Sequence, residues 1–393
     1  MGKTIRVLYI QPYNWECGPH QSLRLLISGL DRTRFSTSVV LPAPSVIAEE
    51  LAEHGAEILF DPGVSTVPRS FSPFRQLTSL TNICTSGFRL SRLIRHKDID
   101  LVHVNSEACW VGGFAARLAG VPAITHLRGL SVLTPRWVGY LTVRILNRFN
   151  EALIATSCEV QKAFAACGTD KKLLRMIYNG IDMEKFNPAH AVPVLRSELD
   201  FEDGQPLIGM IANFDARKGH DHFIKACALV SQKISNAHFV FIGNTHFNDN
   251  KVYYEKIQRL IKKHNLTKSV HFLGSRDDIP NVMASLDVVV QPSLTEAGPR
   301  VPIEAMAMER PIIVSDIGGN SEEVINGQTG LVVPVGDIHA FAKAIMRILS
   351  NARLAMQIGK AGRKRVMEMF SKDRHVQEIS RLYEQLVKVK HIS

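Results

Sequence analysis

The chain lacks the features that would assign it to several common protein classes. None of its six cysteines (Cys17, Cys84, Cys109, Cys158, Cys167 and Cys227) forms a C-x-x-C pair, and no neighbouring histidines complete a zinc pattern. Scattered single cysteines predict reduced, mostly buried thiols, not a disulfide framework or a structural metal site. No apolar run approaches the ~20 residues a helix needs to cross a bilayer. The first apolar run, Ile5–Ile10, is too short, and too soon followed by Pro12, to serve as a secretion signal. It predicts a first strand and a cytoplasmic protein. The loop after it contains no G-x-G-x-x-G, which removes the nicotinamide and flavin fingerprint. Low-complexity tracts, sequence repeats and nucleic-acid reader motifs are also missing, so no nucleic-acid partner is expected.

What is present is an alternation. Short apolar runs at Ile5–Ile10, Ser38–Leu41, Leu101–Val104, Ala123–His126 and Leu153–Thr156 read as strands in the first half. Leu207–Ile211, His238–Ile242, Val270–Phe272, Val288–Gln291, Ile312–Ser315 and Gly330–Val333 do so in the second. Helix-length stretches such as Gln21–Leu30, Glu159–Ala166, Asp221–Ser231 and Tyr253–Lys263 separate them. Buried apolar strands alternating with helices predict an α/β protein with parallel sheets covered on both faces. At 393 residues two domains are expected, with a seam near Asn187–Pro193, where two prolines suit a linker. The expected division is residues 1–188, 189–370 and a terminal helix over 371–393 that can pack back on the first domain.

The formal charge of +10 is uneven. From Arg69 to Arg148 eleven basic residues stand against three acids. That excess suits an anionic membrane surface or a phosphorylated substrate, or it is a solvated face. Two helical stretches, Gly87–Lys97 and Trp137–Asn150, mix apolar residues with arginine and fit either a core-packed helix or one lying on an anionic bilayer. Phe71, Phe74, Arg69 and Arg75 in the segment between them and the first strands suit a lid or a membrane-touching insert.

The densest signal is PSLTEAGPRVPIEAMAMERPIIVSDIGG, which reads as strand, tight turn, helix, strand and glycine turn. Glu296 falls in the turn and Glu304 in the first turn of the helix, eight positions on. Pro302 suits the first helical position, and Val301 is a poor cap, so the amides from Arg300 to Glu304 are candidates for a phosphate. Glu304 then suits a ribose-type diol and Glu296 a sugar hydroxyl, unless both simply favour the helix dipole. NFDARKG follows a strand and places Arg217 and Lys218 where a departing diphosphate needs positive charge, or forms a basic surface loop. In the first half, Gly18 allows close backbone approach before a helix opening near Pro19 or His20. His20 is a site residue or a surface histidine. His126 ends a strand in AITHLRG and can bond a sugar hydroxyl, shuttle a proton, or be a satisfied core histidine. His103 and Asn105 carry a weaker form of the same reading, and Asp182 suits a turn cap.

Together these residues resemble the family-4 retaining glycosyltransferases of the GT-B fold. The resemblance covers nearly the whole chain and centres on Glu296–Asp337, with Ala216–Ala226, Met176–Pro188 and Asp98–Glu107 in family order. It implies two doubly wound Rossmann-like domains facing across a cleft. It implies that Glu296 contacts the donor sugar, Glu304 the nucleotide ribose, and Lys218 with Arg217 the diphosphate, with Gly18 beside it. His126 would lie near the sugar, and backbone near Gly298, Arg300 and Val301 would bond sugar or phosphate. It further implies retention of anomeric configuration and no metal. The catalytic set is therefore Glu296, His126 and Lys218. The sequence departs from the family pattern at Asn213, at Cys17–Gly18 and at Ala297-Gly298-Pro299, where Pro299 removes one backbone donor. The expected activity is transfer of a sugar from a nucleotide-diphosphate donor to a glycan or lipid-linked acceptor in cell-surface polysaccharide or lipopolysaccharide synthesis. A same-fold epimerase or hydrolase, or a non-catalytic sugar-nucleotide-binding protein, remains the alternative.

Overall fold

The computed structural model describes residues 3–67, 73–202, 204–245 and 250–390. Contacts divide the chain into two compact units, Met1–Gly180 with Lys372–Ser393, and Ile181–Ser371. Arg69 and Phe71 lie outside the described residues, as do the side chains of Phe74 and Arg75.

The first unit runs β1 (Ile5–Ile10), α1 (Gly18–Gly29), β2 (Phe35–Leu41), α2 (Val46–Glu53), β3 (Glu57–Phe60), α3 (Pro73–His96), β4 (Leu101–Val104), α4 (Val111–Ala119), β5 (Ala123–Leu127), α5 (Arg136–Phe149), β6 (Ala152–Ala155), α6 (Cys158–Ala166) and β7 (Leu174–Met176). Its seven-stranded sheet has the order β3-β2-β1-β4-β5-β6-β7, with every pairing parallel. Strands β4, β5 and β6 are buried along their length because helices cover both faces. The two strands missing from the sequence reading, β3 and β7, are the sheet edges. EILF is exposed at both ends and only half-buried between, and LRM spans three residues, so neither makes the continuous apolar run of a central strand. The helix after β1 opens at Gly18, one or two residues before the expected start, with Cys17 as its cap residue and proline in its first turn.

The second unit runs α7 (Leu195–Glu198), β8 (Leu207–Ile211), α8 (His220–Ser231), β9 (His238–Ile242), α9 (Lys251–Lys263), β10 (Val270–Gly274), α10 (Ile279–Ser285), β11 (Val288–Gln291), α11 (Val301–Ala307), β12 (Ile312–Ser315), α12 (Asn320–Glu323), β13 (Leu331–Val333), α13 (Ile338–Leu349) and α14 (Ala352–Met369). Its parallel sheet has the order β10-β9-β8-β11-β12-β13. A last helix, α15 (Lys372–Lys390), belongs to the first unit. It buries Val376, Ile379, Leu382, Tyr383 and Val387 in that unit's core, beside Tyr9, Leu23 and Phe35. At ~1.5–3 kcal/mol per fully buried large apolar side chain, this one stripe is a major share of a marginal domain stability.

In each sheet the strand order reverses once, at β1/β4 and at β8/β11. Open parallel sheets bind ligands beyond the carboxyl ends of the strands at such reversals. Gly18 follows β1, His103 and Asn105 end β4, Lys218 follows β8 and Glu296 follows β11.

Candidate functional site

In the second unit the loops after β8 and β11 meet through charge. Lys218 Nζ lies 2.7 Å from Glu296 Oε1, joining two residues 78 positions apart. The same oxygen accepts from Gln291 Nε2 at 2.9 Å and Ser293 Oγ at 2.7 Å. The Glu296 side chain is only 7% exposed, so three donors hold a nearly dry carboxylate in one orientation. Arg217 clamps Asp215 instead, through Nε at 3.0 Å and a terminal nitrogen at 2.6 Å. That pairing raises Arg217's pKa and lowers that of Asp215, where it outweighs burial. Asn213 Oδ1 accepts the Asn244 amide at 3.0 Å, so this side chain holds backbone.

The glycine pair after β12 explains how the Glu296 loop is held. Gly318 has φ +54°, and a Cβ there would lie 2.0 Å from the Glu296 carbonyl oxygen. A Cβ on Gly319 would meet the Ala297 carbonyl at 2.8 Å and Pro299 Cδ at 3.0 Å. Only glycine lets this turn pack directly on the loop that carries the acid.

Glu304 is buried on α11 and faces Arg300, with Nε to Oε1 at 3.3 Å. Burial raises its pKa against the pull of Arg300 and Lys185. The Glu304 amide donates to the Arg300 carbonyl at 2.9 Å, and Pro302 has no N–H. The amide reading for a phosphate therefore narrows from the Arg300–Glu304 stretch to positions before Glu304. Sequence reasoning missed Gln291, Ser293 and Glu323. Glu323 is buried on α12, and burial lifts its carboxyl well above the usual range, with Glu296 and Glu322 adding to the effect. Its only sequence signal is its place three residues beyond the glycine turn's Asn320. Asp182 Oδ1 accepts from the amides of Glu184 and Lys185, both at 3.0 Å, which makes it a turn cap.

In the first unit a second polar cluster sits at the ends of β1, β4 and β5. His126 is fully buried; its Nδ1 lies 2.8 Å from His103 Nε2 and 3.3 Å from Arg128. Burial pushes His103 down to about 3 and His126 well below its usual value, with Arg128 reinforcing both. Arg128 also binds Asn105 Oδ1 at 2.7 Å and Asn179 Oδ1 at 2.9 Å, and its amide donates to Glu107 at 2.7 Å. Arg128 counted in the sequence only as one of many charges; its place two residues after His126, at a strand exit, was the available signal. His20 is not a surface histidine: it is fully buried, 3.5 Å from Glu50. A Cβ on Gly18 would meet nothing within 4 Å, so the space beside it is open.

Helices α3 and α5 both pack on α4. The outward face of α5 carries Trp137, Tyr140 and Leu141, 54, 47 and 44% exposed, together with exposed Arg144 and Arg148. Phe88 on α3 is likewise exposed, among Arg89, Arg92 and Arg95. Each helix buries one face, with Leu90 and Ile94 on α3 and Val143 and Leu146 on α5, and leaves the other exposed. No helix among the described residues is long and apolar enough to cross a membrane.

Two family models match the chain in tandem. Residues 18–185 match Glycosyltransferase Family 4, and residues 192–365 match Glycosyl transferases group 1. Over 391 residues the chain is 28% identical to the Escherichia coli UDP-Gal:alpha-D-GlcNAc-diphosphoundecaprenol alpha-1,3-galactosyltransferase, covering 94% of this chain and 96% of the relative. It is 27% identical to the GDP-mannose-dependent alpha-(1-6)-phosphatidylinositol monomannoside mannosyltransferase of Mycobacterium tuberculosis, over 71% of this chain and 74% of that protein. The Anabaena protein HepE, solved in complex with UDP-glucose, superposes with a TM-score of 0.82 at 23% identity, covering 97% of this chain and all of that one.

Proposed function

We propose, from the premise that this chain belongs to the family-4 glycosyltransferases of the GT-B fold, that it is a retaining enzyme. In this reading it moves a sugar from a nucleotide-diphosphate donor to a glycan or lipid-linked acceptor. The observation that carries the proposal is the Lys218–Glu296 pair at the β8/β11 reversal, an anchored carboxylate beside a cation at the place where parallel sheets take ligands. Glu304 takes the ribose hydroxyls, exchanging its contact with Arg300 for the diol. Lys218, with Arg217, neutralises the departing diphosphate, and Glu296 holds the sugar through its hydroxyls. Backbone at Gly298, Arg300 and Val301 bonds sugar or phosphate. In the first unit Gly18 leaves room for the diphosphate and His126 contacts the sugar.

Catalysis then rests on charge and positioning. As the sugar–diphosphate bond breaks, negative charge grows on the phosphate oxygens next to Lys218. The acceptor hydroxyl attacks from the face the leaving group vacates and passes its proton to a phosphate oxygen, which accounts for retention. The reading assigns no metal. Relatives that act on an undecaprenol-linked and a phosphatidylinositol-linked acceptor support a lipid-linked one here. The arginine-edged face of α5, with Trp137 and Tyr140, suits an anionic leaflet, which would place the enzyme on the cytoplasmic side as a peripheral protein.

A thermal-shift screen of UDP-, GDP-, ADP- and CMP-sugars tests the donor class, because a ligand that binds the folded state raises its melting temperature. A UDP-hexose is the first choice, given the E. coli relative's donor. Incubation with the radiolabelled hit and no acceptor separates the alternatives: quantitative epimer or free sugar would replace transfer with epimerisation or hydrolysis.

A further inference from the structure

His126 is the end of a buried hydrogen-bonded chain whose other members the proposed reaction does not use. Tyr9 OH lies 3.0 Å from Tyr383 OH, Tyr383 OH 2.5 Å from His103 Nδ1, and His103 Nε2 2.8 Å from His126 Nδ1. All four side chains are at most 1% exposed. His126 Nε2 is buried and has no hydrogen-bond partner among the described residues.

The direction of the chain follows from one contact. A guanidinium has donors and no acceptor, and Arg128 lies 3.3 Å from His126 Nδ1. That nitrogen must therefore carry the lone pair. His103 Nε2 then donates to it, so His103 Nδ1 accepts, Tyr383 donates its hydroxyl proton to His103, and Tyr9 donates to Tyr383. The reverse polarity would set an N–H of His126 against an N–H of Arg128. With Nδ1 an acceptor, a neutral His126 carries its proton on Nε2, at the one ring atom left without a partner. His375, also on α15, stacks near His126 with ring centroids 6.3 Å apart. Its Nδ1 donates to the Tyr178 carbonyl at 2.7 Å. Arg128 is the charged group facing the cluster.

We infer that Tyr383 and His103 are positioning residues that lock His126 as a neutral Nε2–H donor, so that His126 gives a hydrogen bond to an oxygen of the bound ligand and does not take its proton. The polarity stands on the geometry alone, and its effect on turnover rests on the proposed transfer reaction. The C-terminal helix thereby acts on the site from behind, through Tyr383.

Two arms test it on the full chain. Long-range proton–nitrogen NMR on 15N-histidine-labelled protein, with signals assigned by His103→Gln and His126→Gln, reads each tautomer without any substrate. The expected result at neutral pH is His126 protonated on Nε2 and His103 on Nε2. Protonation of His126 on Nδ1, or an imidazolium, overturns the inference. The second arm compares His103→Gln with His103→Leu. Glutamine can accept from Tyr383 through Oε1 and donate to His126 through Nε2; leucine fills similar space and does neither. His103→Gln should keep kcat within a few-fold, while His103→Leu and Tyr383→Phe should each lose about 10- to 100-fold, the range for outer partners of metal-ligating histidines. Equal kcat in Gln and Leu variants with matched melting temperatures would reduce the chain to packing. If no donor supports turnover, the proposed reaction fails and the NMR arm still decides the tautomer.

Discussion

Replacing Gly318 by alanine gives a quantitative test of how the acid loop is held. Alanine at φ +54° suffers the left-handed penalty of ~1–2 kcal/mol. Its Cβ also starts 2.0 Å from the Glu296 carbonyl oxygen, whereas real Cβ contacts stay beyond 3.0 Å, so the loop must retreat by about 1 Å. The forced shift adds ~1–3 kcal/mol of overpacking strain. A displacement of ~1 Å in a positioning loop costs ~100-fold in rate, equivalent to ~2.7 kcal/mol of barrier. Gly327→Ala is the control. It has φ +74° and open space around its Cβ, so it carries the backbone penalty without the collision. With ~2–4 °C lost per kcal/mol for a domain of this size, Gly327→Ala should melt about 2–8 °C lower and keep its activity within about twofold. Gly318→Ala should melt lower still and lose about two orders of magnitude in kcat/KM. The assays are melting curves and initial rates with the donor found by thermal shift. Indistinguishable kcat/KM values in the two variants would refute the claim that this close approach positions Glu296.

Lys218→Ala should lower kcat by ~10²–10³, while Glu304→Gln should mainly weaken nucleotide binding, by ~1.5–3 kcal/mol; unchanged rates and affinities in both would overturn the site assignment. Reversing Arg144 and Arg148 to glutamate should release the protein from anionic vesicles by at least ~1 kcal/mol per charge, read by co-sedimentation, and binding that ignores both the charges and the salt would remove the membrane proposal. Because His103 is held down to about 3 and His126 well below its usual value, the folded chain binds fewer protons than the unfolded one below pH ~6.5. Stability from these groups is complete above that pH and falls as the solution is acidified toward pH 3, by up to ~1.4 kcal/mol per pH unit for each histidine. Melting between pH 8 and 5 should show this loss, reduced in His103→Gln, and an identical profile in that variant would show that His103 does not titrate on unfolding.

Central strands were readable because burial on both faces writes a continuous apolar run, as in residues 7–10 and 288–290. Edge strands β3 and β7 were not, since half their surface answers to solvent. Turn chemistry marked Glu296 and the glycine pair, but the Lys218–Glu296 contact joins loops 78 residues apart and depends on β8 and β11 being neighbours. Arg128 shows the limit most plainly. It has the composition of a surface charge, and only the convergence of Asn105, Asn179 and His126 on its guanidinium gives it a directing role. For His20 the sequence leaves a site residue and a surface histidine open, because nothing local reveals which side of α1 turns inward.

The membership of α15 in the first unit bears on the order of synthesis. Domains generally mature from the amino end as the chain emerges, at ~5–20 residues per second. Here the first unit lacks Val376, Ile379, Leu382 and Tyr383 until Ile181–Ser371 has been translated, because that segment is threaded into it as an insertion. For roughly ten seconds or more at that rate, the nascent first unit must expose the apolar surface that α15 will cover. The later-made unit, being continuous, can finish folding first.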